Sequence, residues 1–184
     1  MIIRTIKNTV LGLGVILFIG SLSAQTYTPS DNGSSVKFSI KNFALNVGGS
    51  FKGLKGKLTF NPASLSASSF NVSVDAATVN TGNGSRDNHL RKEEYLDAGK
   101  FPLISFASTK ITPSGEAGNF MMNGKITIKG VTRNISFPFT ATLKSDGYLF
   151  NGSFKLNRRD FGVGGSSMVM SDNLTVILSV LAKK

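Results

Sequence analysis

The only histidine of the chain, His89, stands four residues before Glu93. On a helix that spacing puts two metal-ligating side chains on one face. A zinc site needs at least three protein ligands, and there is no cysteine or second histidine to complete it. The pair therefore reads as a surface or hydrogen-bonded histidine, and no metal is expected. Nucleophiles are no better placed. Gly33-Ser34-Ser35 and Gly165-Ser166-Ser167 lack the Gly-x-Ser-x-Gly turn that exposes a reactive serine. His89 would have to be the base of any triad, with Asp87 too close in sequence to orient it. Asp75 falls on the polar row of a strand, so no pair of inward carboxylates emerges for acid–base work. The expectation is a protein that binds, not an enzyme.

Two clusters could do that binding at a pocket mouth: Arg86-Asp87, and Arg158-Arg159-Asp160. Each guanidinium can make paired hydrogen bonds to a carboxylate, a phosphate or backbone carbonyls. The clusters could latch two parts of the fold through cross-paired salt bridges, or an arginine at the mouth could hold an anionic head group. Both readings stay open.

The first cluster lies in the segment that departs from the rest of the chain, Thr78 to Pro102. A stretch of this length in a compact β protein is usually functional or disordered. Leu90, Tyr95, Leu96 and Phe101 give it an apolar face to dock, so it is predicted to cap one end of a barrel. Asp87 or Asn88 is the expected N-cap of a short helix over 88–96, with Gly99 just past its end.

Around that segment the chain alternates with period two, the mark of half-buried strands. Val36, Phe38 and Ile40 oppose Lys37, Ser39 and Lys41; Phe70, Val72, Val74 and Ala76 oppose Asn71, Ser73 and Asp75. In the stretch 46–60 the apolar parity slips beside Gly53, which predicts a bulge. Further rows follow: Ile104 and Phe106; Phe120, Met122, Gly124, Ile126 and Ile128; Ile135, Phe137 and Phe139; Tyr148, Phe150, Gly152, Phe154 and Leu156; Leu174, Val176, Leu178 and Val180. Ser145-Asp146-Gly147 marks a hairpin. Eight strands joined by short turns predict an all-β antiparallel meander closed into a barrel, which leaves no open edge. A barrel of eight strands is wide enough to be filled by side chains or to hold one small ligand. Fourteen phenylalanines interrupted by glycine and alanine lean towards a cavity, although glycine also serves curvature.

Residues 1–24 read as a secretory signal peptide: Arg4 and Lys7, an apolar run from Val10 to Ile19, then Ser21-Leu22-Ser23-Ala24 before Gln25. The run is short for a membrane span. The expected product is one periplasmic or secreted domain, 25–184. The whole chain carries +11, and loss of Arg4 and Lys7 leaves +9. That charge suits solvated strand faces and transient contact with an anionic membrane surface. Lys52, Lys55 and Lys57 lack the interleaved aromatics of a nucleic-acid platform, so no nucleic-acid partner is expected. A homodimer is left open.

Several stretches, in order, resemble the YceI-like family. They are Gly49-Ser50-Phe51-Lys52-Gly53-Leu54-Lys55-Gly56, Thr81-Gly82-Asn83 with Arg86-Asp87-Asn88-His89-Leu90, and Phe101-Pro102-Leu103-Ile104-Ser105-Phe106 with Ser108-Thr109. Gly130-Val131-Thr132 and Asn157-Arg158-Arg159-Asp160-Phe161-Gly162 complete the set. The resemblance implies an exported, eight-stranded lipocalin-like barrel with a helical cap. It also implies a non-catalytic apolar pocket for a polyisoprenoid, an isoprenoid quinone or a fatty acid derivative. On that basis Phe38, Ile40, Phe51, Leu58, Phe60, Val72, Val74, Ile104, Phe106, Met122, Phe137, Phe139, Phe150 and Phe154 line a tunnel or plug its end. Leu90 and Leu96 reach it from the cap. Arg86, Asp87, His89, Arg158, Arg159 and Asp160 supply the polar mouth. No cofactor beyond such a lipid is implied.

Overall fold

Each alternating row becomes a strand whose apolar side turns inward. The computed structural model describes residues 25–184; the predicted signal peptide lies outside the described residues. The strands among the described residues are β1 Gln25–Pro29, β2 Ser35–Asn42, β3 Leu45–Phe60, β4 Ser69–Asn80, β5 Leu103–Pro113, β6 Asn119–Ile128, β7 Val131–Lys144, β8 Gly147–Asn157 and β9 Met170–Lys183, with one α-helix among them, α1 Gly84–Leu90. From β2 to β9 every strand pairs antiparallel with the next, and β9 returns to pair with β2. The chain is thus an all-β, closed, eight-stranded antiparallel barrel with a short helix at its cap. The unforeseen β1 pairs with β3 through Gln25↔Phe60 and Tyr27↔Leu58, then with β9 through Pro29↔Ala182. It fills the gap between those strands beyond the reach of β2. Five residues with only Tyr27 and Pro29 turned inward give too short an alternation to stand out beside the leader.

The slip at Gly53 is a bulge. The β3–β4 register shifts on either side of Lys52, and Gly53 adopts φ +75. The N–H groups of Gly53 and Leu54 donate instead to the Asp31 carboxylate, at 2.9 and 3.0 Å. A second register shift, between Ser108 and Lys110 on β5, was not foreseen. It passes the inward row from Ile104 and Phe106 to the buried Ile111.

The helix begins earlier than expected and is shorter. Asn83 is its N-cap, its side chain accepting the Arg86 N–H at 3.0 Å. Asp87 lies inside the helix and is turned towards Thr81, so it is unavailable as a cap. Residues beyond the C-cap Arg91 run as turns, with Lys100 and Phe101 N–H both donating to Asp97 O. Gly99 is therefore not a helix terminator.

One half of the barrel is packed solid. Phe60, 1% exposed, meets Phe70, Phe120, Tyr148 and Phe150 at centroid distances of 5.1 to 6.0 Å. Those partners come from three other strands, β4, β6 and β8, so opposing walls touch across the axis. Each such aromatic pair contributes about 0.5–1.5 kcal/mol beyond burial of its area. Leu58, Met122, Phe139 and Ala182 complete this plug.

Candidate functional site

Beyond the plug the walls do not meet. Phe137 and Phe106 form the floor: both pack against the plug and both line a cavity of about 250 Å³ running towards the cap. The space exists because two rings are drawn back onto glycines. A Cβ built on Gly49 would fall 2.3 Å from Phe38 Cζ, and one on Gly124 would fall 2.4 Å from Phe106 Cζ. Small residues therefore seat aromatics against the wall, as glycines in sheets do when a neighbouring ring covers them.

The cavity wall holds Phe38, Ile40, Phe51, Val72, Val74, Ile104, Phe106, Phe137 and Phe154, with Leu90 and Leu96 from the cap. The remaining residues of the expected inward set, Leu58, Phe60, Met122, Phe139 and Phe150, sit in the plug. Further lining residues include Val36, Val47, Leu54, Ile126, Ile128, Leu156, Leu174 and Val176. Most of these share an inward row with the foreseen residues, so the same alternation could have found them. Leu54 follows the bulge. Tyr95 belongs to the apolar face expected of the cap, whereas Phe161 and Val163 come from the short 3-10 helix after β8 and the loop behind it, which no periodicity marks.

The polar groups fall into two sets, and they do not cross-pair as one reading expected. Asp87, 7% exposed, accepts the Thr81 N–H at 2.8 Å and the Thr81 hydroxyl at 2.6 Å. The Thr81 side-chain bond, followed by its backbone bond and the charges of Arg91 and Arg86, holds the Asp87 carboxyl below the ordinary 3.8 against the cost of burial. Arg86 Nε donates to Thr81 Oγ1 at 2.8 Å and Nη2 to Thr81 O at 3.0 Å. Arg86 lines the cavity. Among the described residues it makes no ion pair within 4.0 Å, and its Nη1 has no hydrogen-bond partner.

Arg158, 3% exposed, also reaches the lining but is fully engaged. It donates to Ser171 O, Val163 O and Gly165 O at 2.9 to 3.1 Å and to Asp172 at 2.7 Å. That buried fork ties the 162–169 loop and the start of β9 to the end of β8. The loop in turn meets the cap through Gly164 N–H to Glu94 O at 2.8 Å, and Lys129 Nζ donates to Gly162 O at 2.9 Å. Arg159 and Asp160 are exposed, as is His89, whose ring stands 4.9 Å from that of Tyr95. None of these three lines the cavity. Asn42 does, and its Oδ1 is buried without a hydrogen-bond partner among the described residues. A polar residue at the end of an apolar row gives no signal in sequence. Among the described residues no cluster of three or more metal-ligating acids or histidines exists.

A closed antiparallel barrel, plugged at one end and hollow under a cap at the other, defines a lipocalin-like fold with an apolar pocket. Its sequence assigns it more closely: a profile of the YceI-like domain matches residues 27–182, and the chain belongs to the YceI-like family. It is 31% identical to a UPF0312 protein of Yersinia enterocolitica, covering 95% of this chain and 96% of that one. Among solved structures, BcnA of Burkholderia cenocepacia superposes with a TM-score of 0.77 at 23% identity, over 82% of this chain and 96% of the other. The YceI protein of Campylobacter jejuni gives 0.68 at 28% identity, over 76% and 86%. A polyisoprenoid binding domain from Saccharophagus degradans gives 0.69 at 14% identity, over 85% and 97%, which is likeness of fold. Family and neighbours point to a binding protein.

Proposed function

We propose that this barrel binds a single long-chain amphiphile without covalent chemistry, tail in the cavity and head group beneath the cap. The carrying observation is the apolar space of about 250 Å³ above Phe137. Burying each methylene there stabilises the complex by about 0.8 kcal/mol. The volume lies just below the usual range of small-molecule sites, which suits one narrow hydrocarbon chain. A polyisoprenoid, an isoprenoid quinone or a fatty acid derivative meets that description; the Saccharophagus neighbour is described as binding the first. At the polar end, Arg86 Nη1 can donate to a carboxylate or phosphate, and Asn42 Oδ1 can accept from a hydroxyl or amide. The leader-like residues 1–24 support export, so the site of action proposed is the periplasm or the outside of the cell. The role is sequestration or transport of a lipid through water.

Native mass spectrometry after gentle purification tests this. A co-purifying lipid is the expected result. A bare mass, with no uptake of an added prenol or fatty acid, would favour a structural envelope protein with a self-filled barrel. In a folded Val176→Arg variant, a guanidinium in the cavity should abolish uptake.

A further inference from the structure

At the mouth, the surface just beyond the end of the inward rows is apolar and exposed. Asn42 and Met170 line the cavity. Asn42 pairs with Leu45 on one side and with Met170 on the other. Just beyond them stand Phe43 at 71% exposure, Leu45 at 72%, and a fully exposed Met168 with Val169 at its side. The Phe43 N–H donates to Val169 O at 2.9 Å, joining the hairpin tip to the end of the 162–169 loop. Phe43 and Ala44 both have positive φ, +50 and +66. A two-residue turn of that kind normally takes Asn-Gly. Here it displays an aromatic ring to solvent in a backbone conformation that a bulky residue disfavours.

We infer that Phe43, Leu45, Met168 and Val169 form a lip that inserts into the surface of a phospholipid bilayer, placing the open end of the cavity against the hydrocarbon it exchanges. This rests on the reading of the cavity as a lipid site. Continuity decides the occupant: a surface that covers both the lip and the mouth must itself supply or accept hydrocarbon. Charge agrees, since residues 25–184 carry +9 and Lys41 flanks the lip, opposite in sign to anionic head groups. A second copy is the poorer fit. The lip offers on the order of 500 Å², whereas a stable dimer buries about 800 Å² per partner. Near the mouth Arg159 adjoins Asp160 and Lys92 adjoins Glu93, so insertion of apolar side chains, with charge only assisting, holds the protein there.

The chain has no cysteine, so a Met168→Cys variant of the full chain can carry one environment-sensitive nitrobenzoxadiazole label. Leu143→Cys, 70% exposed beside the β7–β8 hairpin at the plugged end, is the control. With phosphatidylethanolamine–phosphatidylglycerol vesicles, the label at 168 should shift to the blue and brighten, and the label at 143 should not. Equal responses at the two sites, or none at 168, would overturn the inference. Adding Phe43→Asn with Ala44→Gly gives the turn the residues it prefers, so folding is protected. That variant should weaken the vesicle response roughly tenfold while parinaric acid uptake in vesicle-free buffer stays within about twofold. An unchanged vesicle response would sink the lip. Loss of dimerisation in that variant, with no vesicle response in the parent, would hand the surface to a second copy. Failed parinaric acid uptake by a parent that still docks through residue 168 would count against the cavity and leave the lip standing.

Discussion

The ring of Phe106 occupies the place a side chain on Gly124 would take: a β-carbon there would meet Phe106 Cζ at 2.4 Å, Phe106 Cε2 at 2.5 Å and Ala107 O at 2.6 Å. Glycine on β6 thus decides how far a phenylalanine of β5 projects into the lumen. Gly124→Ala forces the ring inward and the β5 backbone outward. Overpacking of this kind costs about 1–3 kcal/mol, read as a lower urea midpoint. Uptake of a fluorescent fatty acid should fall further than stability, because the displaced ring enters the cavity itself.

Phe137 is the complementary case. It stands between plug and cavity, 5.9 Å from Phe106 and 4.6 Å from Phe154 between ring centroids. Phe137→Ala removes the floor. The expected cost is about 3–5 kcal/mol, and the ligand preference should move to longer chains, measured by competition across an acyl or prenyl series. A destabilised variant with unchanged chain-length preference would place the floor elsewhere.

These two residues also mark what sequence could and could not disclose. Alternation gave the strands, their inward faces and the Gly53 slip, because a period of two follows from backbone geometry alone. It could not say that Phe60, Phe120 and Phe150 meet across the axis while Phe38, Phe106 and Phe154 do not. That depends on where along the axis each inward residue falls and on which ring finds a glycine opposite, both set by strand stagger. Bulges such as the one after Ser108 change that stagger without altering composition. The helix starts upstream of its expected place because the capping chemistry of Asp87 is engaged by Thr81, leaving Asn83 as the cap. The charge of Arg158 is visible in the sequence, yet most of its bonds are to carbonyls, which no pattern of side chains reveals.

That last geometry predicts an asymmetry. Arg158→Met leaves Ser171 O, Val163 O and Gly165 O without their donor, and should cost about 2–4 kcal/mol. Asp172 is 45% exposed and can turn to water, so Asp172→Asn should cost at most about 1 kcal/mol. Chemical denaturation of both variants reads the difference. Equal losses would mean that the ion pair, and not the carbonyl fork, secures the loop.

Acid should loosen the bulge and the cap before the barrel wall. Asp31 is held below the ordinary 3.8 by hydrogen bonds from Leu54 and Gly53 N–H, helped by the charge of Lys52, and Asp87 is lowered mainly by Thr81. A carboxyl whose folded value lies below its unfolded one stabilises the fold at higher pH, and that contribution is lost as pH falls through the folded value. The window is therefore below 3.8. Asp31→Asn and Asp87→Asn should each lower Tm at pH 7 and each narrow the gap between Tm at pH 7 and at pH 3. Both groups accept from backbone N–H, so hydrogen exchange at Gly53, Leu54 and Thr81 should quicken at pH 3 relative to wall amides such as Ile126. A gap between the two Tm values that neither substitution narrows would assign the acid sensitivity to other carboxylates.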